Sequence, residues 1–579
     1  MTIFTLLATF ANFLIAVLLF KSNFSFSVPW LPFGIDFSIR IYGFSAFIML
    51  AAASFGFLIT LYCVAFMKGK KYAWQFYLLL LLSLVFVDGA VIADNLIVML
   101  FFWEGLLATL FGMIAIGSEN AFKTATKAFI ILGISDLCMM FGIILTGYLA
   151  GTFTMSQIHL QLNTLGSVAF IFLMIGAISK GGSMPFHSWI PDAAIDAPLP
   201  FMAIFPAALE KLLGIYFLTR ISLDMFKLTE ASWVSMLLMV IGAITIILAV
   251  MMALIQKNYK RLLSYHAISQ VGYMILGIGT ATPAGIVGGI FHMINNAMYK
   301  SCLFLTGGSV EKQTGTSDLE KLGGIGWKMP ITFICFIITA ISISGVPPFN
   351  GFFSKELIYD GVLERGLIFY LVAVIGSFFT AASFLKLGHA AFLGKMRDEN
   401  RNVKEVPWPM LIPMIVIAAG CIVFGLWNSL PINIIQPVLG ARLEGHSFAG
   451  FPPNTILVVI TLIVLLGAIL NHLYGVKTKG SGLKAVDHIH YAPGLSWLYE
   501  RAEKRFFDPY DIGMFFVGFF TRIGWWIDRG IDWLYDVFIV KLTFAFTHQI
   551  KKAHNGSYVT YLIWSLVGTA LAVAFMIGR

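Results

Sequence analysis

Several charged side chains stand inside otherwise apolar stretches of this sequence. Glu104 lies in Leu100-Phe-Phe-Trp-Glu-Gly-Leu-Leu, Lys180 closes the run Phe170–Ser179, and Glu210 and Lys211 are adjacent inside Phe205–Leu218. Lys300 lies in Ala297-Met-Tyr-Lys-Ser-Cys-Leu-Phe, and Lys355 and Glu356 follow a proline- and glycine-rich interruption. Asp136 and Lys386 are further candidates nearer the ends of their runs. An ionised side chain at the centre of a bilayer costs at least ~2.5–3.5 kcal/mol on insertion scales, so such residues mark ion routes. Desolvation disfavours the charged form of amine and carboxyl alike, and a nearby opposite charge restores it. A buried Lys–Glu pair is therefore a switch: apart, the lysine tends to release its proton, and together it holds it. Arginine does not release its proton and would not serve. A series of such groups linked by water would be a proton relay, with sodium as the alternative ion.

His292, Asn296 and Lys300 are spaced i, i+4, i+8 and so share one helix face over about 12 Å. That spacing suits a segment of a relay; hydrogen bonding between helices is the structural alternative for His292 and Asn296. His187 and His266 read as capping or loop residues. Lys260 and Arg261 read as a membrane edge, with Lys260 a candidate exit gate.

These residues need membrane helices to position them. Of 579 residues 59% are hydrophobic and only 12% charged, about half the charged share of a soluble domain, and mean hydropathy is +0.87. The criterion of ~20 apolar residues per span yields about fifteen spans, or sixteen if 350–393 holds a short broken helix and a full one. Two runs are interrupted alike, at Ser179-Lys-Gly181-Gly182-Ser-Met-Pro185-Phe-His187 and at Ser344-Gly-Val-Pro347-Pro348-Phe-Asn-Gly351. Proline removes a backbone donor and glycine loosens the helix, and backbone freed at membrane depth is tolerated only where it lines a cavity or is buried in protein. Matching broken segments in two halves of a chain point to a transport site.

The first run, from Thr2 to Phe20, lacks a basic leader and a small-residue cleavage site, so it reads as a retained span. From about Tyr491 to Lys552 charges alternate with Trp and Phe, which favours an amphipathic helix lying in the interface, with Gly513, Gly518, Gly524 and Gly530 as sites of bending or interruption. Such a helix exceeds what one bundle needs and suits a brace across neighbouring subunits, pinned by a final span at Tyr558–Ile577. Cys63, Cys138, Cys302, Cys335 and Cys421 are far apart with no CxxC pair, which argues against an iron–sulfur, haem or zinc site in this chain. The net charge of +9 suits an anionic leaflet or acidic partners; nucleic acid is a poor partner for so little soluble surface.

The longer strings holding these residues resemble the antiporter-like subunits shared by respiratory complex I, Mrp-type sodium/proton antiporters and energy-converting membrane-bound hydrogenases. They are Ala93-Asp-Asn-Leu through Phe102-Trp-Glu104-Gly, Ser179 through Asp192, Lys260 through Met274, Phe291 through Lys300 and Ser344 through Lys355. The resemblance covers roughly residues 70–395, and the tail from Gly475 resembles the type that ends in a lateral helix and one anchoring span. It implies an all-α polytopic membrane protein: helices in 1–70, a core at 71–395 of two inverted five-helix repeats with broken helices, further spans at 396–475, a lateral helix at 476–556 and an anchor at 557–579. It implies that Glu104 and Lys180 form the charge pair of the first half, Lys211 the bridge, His292 part of the connecting chain, Lys300 the central lysine and Lys355 the exit group. The chain departs from the complex I pattern: Asn296 stands where a second histidine is common, Gly133 where an arginine is frequent, and Pro206 where a histidine often precedes the bridging lysine, while Glu210 is an added acid. These departures favour a membrane-bound hydrogenase or a related ferredoxin-linked complex in a prokaryotic inner membrane. Expected partners are other membrane subunits, lipids, and peripheral redox subunits carrying iron–sulfur clusters and a nickel–iron site. An Mrp-type Na⁺/H⁺ antiporter subunit is the alternative, and a transport-dead scaffold a third reading.

Overall fold

The computed structural model describes residues 1–32, 35–443 and 446–578. Helix α1 (Thr2–Leu19) leads into an antiparallel hairpin of β1 (Phe24–Leu31) and β2 (Ile35–Ile41), in which Phe24 pairs with Ile41 and Val28 with Phe37. The hairpin is not among the elements expected from the sequence, although Phe24-Ser-Phe-Ser-Val has the period of two that marks a strand. Four long apolar helices follow, α2 (Gly43–Phe66), α3 (Ala73–Ile92), α4 (Leu96–Ala115) and α5 (Ala121–Ala150).

The first interrupted run is α6 (Thr164–Gly181) and α7 (Trp189–Asp196). Next come α8 (Leu199–Ile204) and α9 (Glu210–Arg220), joined by a π-turn over Phe205–Leu209. Pro206 has no N–H to give the ladder there, and the Glu210 amide reaches back five residues to the Phe205 carbonyl.

Then come α10 (Trp233–Ile255), α11 (Tyr259–Gly279) and α12 (Pro283–Thr314). The second interrupted run is α13 (Pro330–Ser344) and α14 (Asn350–Arg365). It is followed by α15 (Leu367–Gly388), α16 (Trp408–Leu426), α17 (Ser429–Ile435), α18 (Thr455–Lys479), α19 (Asp487–His490) and α20 (Leu495–Glu503). The protein is an all-α polytopic membrane protein. Among the described residues twelve helices are long and apolar enough to cross a membrane. The other three expected spans are also helical: α13 is apolar but short, and α11 and α12 carry many buried polar residues. Small residues let these helices close up: a Cβ at Gly242 on α10 would lie 2.8 Å from the Gly272 carbonyl oxygen on α11.

The two breaks align without a gap. Ala177-Ile-Ser-Lys-Gly-Gly182-Ser-Met-Pro185-Phe runs parallel to Ala340-Ile-Ser-Ile-Ser-Gly345-Val-Pro-Pro348-Phe. Gly182 (φ 82°) and Gly345 (φ 84°) end α6 and α13 in the left-handed region, which glycine enters without strain, and each is followed by a cis proline, Pro185 and Pro348. Gly351, counted with the second break, lies inside the first turn of α14, where a Cβ would meet the Ser342 carbonyl oxygen.

From Phe506 the chain forms a separate compact unit. In it α21 (Pro509–Asp532), a π-turn over Trp533–Ile539 and α22 (Val540–Ala553) run on without interruption, followed by α23 (Tyr558–Ile577). The glycines do not interrupt it: Gly513, Gly518, Gly524 and Gly530 all lie within α21. An isolated glycine costs about 1 kcal/mol against alanine but keeps its N–H and fits the ladder. The irregular turn falls at Trp533–Ile539 instead, and the segment before residue 509 is the separate short helices α19 and α20.

Candidate functional site

The first break positions an ion pair. Lys180, in the last turn of α6, is fully buried, and its Nζ lies 3.8 Å from Asp136 Oδ2 on α5 and 4.9 Å from the centre of the Trp103 ring on α4. Trp103 Nε1 donates to the other Asp136 oxygen at 2.8 Å, so one carboxylate is shared between the indole and the ammonium. Asp136 sits in the middle of α5 and not near its end. The acid within 4 Å of Lys180 is Asp136, while Glu104, the partner expected from the resemblance, interacts electrostatically with both. Among the described residues no acid–base contact within 4 Å involves Glu104; its Oε1 is buried without a hydrogen bond, and it faces a cavity of about 550 Å³ walled by apolar side chains such as Phe101 and Met140. The indole of Trp103, the residue preceding Glu104, lies beside both Asp136 and Lys180.

Lys211 on α9 donates from Nζ to the Gly181 carbonyl oxygen at 2.6 Å, which places an ammonium on backbone freed by the break. Glu210, its neighbour, is fully buried with neither carboxylate oxygen hydrogen-bonded. The π-turn frees carbonyls as well: Asn296 Nδ2 donates to Ala207 O at 3.3 Å. Lys300 donates weakly to Leu263 O at 3.4 Å and lies 5.5 Å from the Phe384 ring centre. His266 touches the same ring and bonds Ser383 Oγ at 2.9 Å through Nε2. It is a fully buried residue inside α11, not a cap or a loop, because α11 begins at Tyr259, well before it.

The face shared by His292, Asn296 and Lys300 is buried throughout, but its members bond to different neighbours and not to each other. His292 Nδ1 meets Ser354 Oγ at 2.9 Å and its Nε2 meets Gln270 Oε1 at 3.1 Å, with the Tyr299 hydroxyl 3.3 Å from that same nitrogen. Lys355 on α14 donates to Ser377 Oγ at 3.0 Å and lies 5.1 Å from the Tyr273 ring centre, while the Tyr273 hydroxyl is 3.0 Å from the same serine. Glu356 turns the other way and accepts from Thr461 on α18 at 2.5 Å. Lys386 donates to Leu254 O and Gln256 O at the end of α10, at 2.5 and 2.8 Å. Lys260 pairs with Glu311 at 2.9 Å.

Sequence spacing did not indicate His266, Gln270, Tyr273, Tyr299, Ser354 or Ser377, which complete the polar surroundings of the lysines. The dense polar content of Lys260 through Met274 is the signal that held three of them. Among the described residues no group of three or more His, Cys, Asp or Glu is placed to hold a metal ion.

Comparison with known proteins matches residues 93–380 to the family described as NADH:quinone oxidoreductase/Mrp antiporter, TM. A Na(+)/H(+) antiporter subunit of Alkalihalophilus pseudofirmus is 34% identical over 454 residues, covering 72% of this chain and 56% of the relative. The chain thus spans little more than half of that relative. A chain of respiratory complex I from Thermus thermophilus with bound NADH superposes with a TM-score of 0.70 at 21% identity, over 77% of this chain and 95% of the other. A chain of the membrane-bound sulfane sulfur reductase, an archaeal respiratory membrane complex, superposes with a TM-score of 0.68 at 25% identity, over 76% and 92%.

Proposed function

The chain belongs to the NADH:quinone oxidoreductase/Mrp antiporter transmembrane family, and from that premise we propose that it carries protons along its buried lysines as a membrane subunit of a redox-driven complex. One observation carries this reading: beyond Lys180, the buried lysines Lys211, Lys300, Lys355 and Lys386 rest on carbonyl oxygens and hydroxyls, as Lys211 does on Gly181 O and Lys355 on Ser377 Oγ. These partners accept a hydrogen bond without fixing the charge, so each amine can lose and regain a proton where it stands. Asp136–Lys180 is the switchable ion pair of the first half. Separating it favours proton release from Lys180 toward Lys211; the route continues through Lys300 and the His292 cluster to Lys355, with Lys386 as a second terminal group. Glu104 and Glu210, whose carboxylates have unpaired buried oxygens, tune that pair. The matching breaks at Gly182 and Gly345 support two inverted repeats. On this reading, partner subunits hold the iron–sulfur and nickel–iron centres and the helices from Pro509 to Ala553 brace neighbouring membrane subunits.

The test is proton uptake by membrane vesicles containing the assembled complex. Lys300→Ala and Glu104→Ala are expected to lower uptake at least tenfold while the complex still assembles; unchanged uptake in both would refute the relay and leave a scaffold. A second reading is Na⁺/H⁺ exchange, favoured by the 34% identity to the Alkalihalophilus pseudofirmus antiporter protein. Uptake that depends on a sodium gradient and not on an electron donor would select it.

A further inference from the structure

The connections at one end of the bundle border an open cavity of about 560 Å³, separate from the lysines Lys180, Lys211, Lys300 and Lys355. It is bounded by the turn between α2 and α3, the turn after α4, the segment after α7, and the facing ends of α11 and α12. Lys68, Lys70, Lys71, Lys260 and Lys312 line it, against two acids, Asp196 and Glu311. Both acids are engaged. Asp196 accepts from Ser118 at 2.9 Å and Thr124 at 2.6 Å, and Glu311 is paired with Lys260 at 2.9 Å.

Four ammonium groups, those of Lys68, Lys70, Lys71 and Lys312, therefore share a concave surface with no carboxylate within 4 Å among the described residues. They lean on aromatic faces and backbone: Lys70 Nζ lies 4.4 Å and Lys312 Nζ 5.7 Å from the centre of the Phe66 ring, Lys71 Nζ lies 5.3 Å from that of Tyr72, and Lys312 donates to Ala65 O at 2.5 Å. Partial desolvation lowers the pKa of the Lys70 amine in the exposed turn; Glu311 opposes that shift and Lys260 adds to it. Like charges held together with their acids already taken repel one another, and a multivalent anion would relieve that repulsion. The volume lies in the range of ligand sites, about 300–1,000 Å³, and basic pockets between membrane helices suit phosphate-bearing headgroups.

We propose that this cavity binds a phosphate group, carried either by an anionic phospholipid headgroup or by a free phosphate, between Lys70, Lys71 and Lys312. Lys70 and Lys312, both placed against Phe66, hold the phosphate from two sides, and Lys71 and Lys68 close the mouth. Phosphate oxygens accept from lysine as from a point charge, so charge more than geometry sets affinity.

The full chain in nanodiscs tests this, with phosphatidylglycerol or phosphatidylcholine as the lipid in one arm and inorganic phosphate titrated into phosphatidylcholine discs in the other. The readout is lipid retained on native mass spectrometry in the first arm and the midpoint of thermal unfolding in the second. Neutralising one of these lysines should weaken binding about fivefold, and Lys70→Gln/Lys71→Gln/Lys312→Gln together on the order of 100-fold. The same three positions changed to Arg should keep it. Lys123→Gln, on α5 outside the cavity, should change nothing. Lysine-dependent retention of phosphatidylglycerol alone identifies a lipid headgroup site, and a lysine-dependent phosphate shift alone identifies free phosphate; either supports the proposal. Retention and shift that are absent in the unaltered chain, or that fall equally in Lys123→Gln, would overturn it.

Discussion

The two broken helices share a backbone design and differ in how they treat charge. At the first, Lys180 lies two residues before the left-handed glycine and faces Asp136; the aligned position at the second is Ile343. There the lysine is displaced onto the following helix as Lys355, and it meets a serine hydroxyl and the Tyr273 ring in place of a carboxylate. The second break is closed by amides: Asn350, at the start of α14, bonds Ser342, and exchanges bonds of 2.9 Å with Asn295 on α12. The first break is closed by the Lys211 ammonium on Gly181 O. One backbone kink thus serves as a charged junction in one half and as a neutral, amide-locked junction with a lone amine in the other.

The largest effect that tests this contrast comes from removing the shared carboxylate. Asp136→Ala strands Lys180 in a fully buried site, which costs roughly 3–5 kcal/mol for a broken buried pair, whereas Ser377→Ala removes a hydroxyl shared by Lys355, Tyr273 and Tyr359 at about 1–3 kcal/mol. The melting temperature of the detergent-solubilised chain should fall further for the first than for the second. Adding Lys180→Met to Asp136→Ala should recover much of the loss, since the stranded charge is then gone. Equal losses for Asp136→Ala and Ser377→Ala, or no recovery in the double variant, would break the comparison.

Proline and glycine placed both breaks in advance, because Pro185, Pro348, Gly182 and Gly345 act through their own backbone. The buried charges were equally legible, since an ammonium in an apolar run is conspicuous in one dimension. Pairing was not. Asp136 and Lys180 lie on different helices, and nothing in their spacing says that Asp136 comes within 4 Å of the lysine, with the Trp103 indole against both. Helical spacing picked out Asn296, yet it is its neighbour Asn295 that ties α12 to the second break. The π-turn at Phe205–Leu209 was hidden because Pro206 alone signals a kink and not the way in which the ladder closes around it.

The next effect in size concerns the glycines. Alanine at φ near +80° costs about 1–2 kcal/mol in either break. The surroundings differ: a Cβ at Gly182 would sit 2.5 Å from Ile190 Cδ1 and 3.1 Å from Lys211 Nζ, whereas at Gly345 the nearest atom is Lys355 Cδ, 3.1 Å away. Gly182→Ala should therefore push Lys211 off the Gly181 carbonyl and depress proton uptake more than it depresses stability. Gly345→Ala should mainly cost stability, because Lys355 can bend its chain and keep Ser377. Measuring uptake and melting temperature for both variants separates the two cases; a matched loss of uptake would mean that the two junctions work alike.

The smallest effect lies at the edge of the second half. Glu356 adjoins Lys355 in sequence but is held away from the route by Thr461 of α18, with one carboxylate oxygen left unbonded. Thr461→Val keeps the shape and removes the donor, a change of about 1 kcal/mol, and frees the carboxylate to turn toward Lys355. If the second half depends on its lysine remaining without an acid partner, the freed Glu356 will hold the Lys355 proton. Uptake should then slow by a few fold with little change in melting temperature, and Thr461→Val/Glu356→Gln should restore it. An uptake rate in Thr461→Val equal to that of the unaltered chain would show that Glu356 exerts no hold on Lys355, and that the neutral character of the second junction does not rest on Thr461.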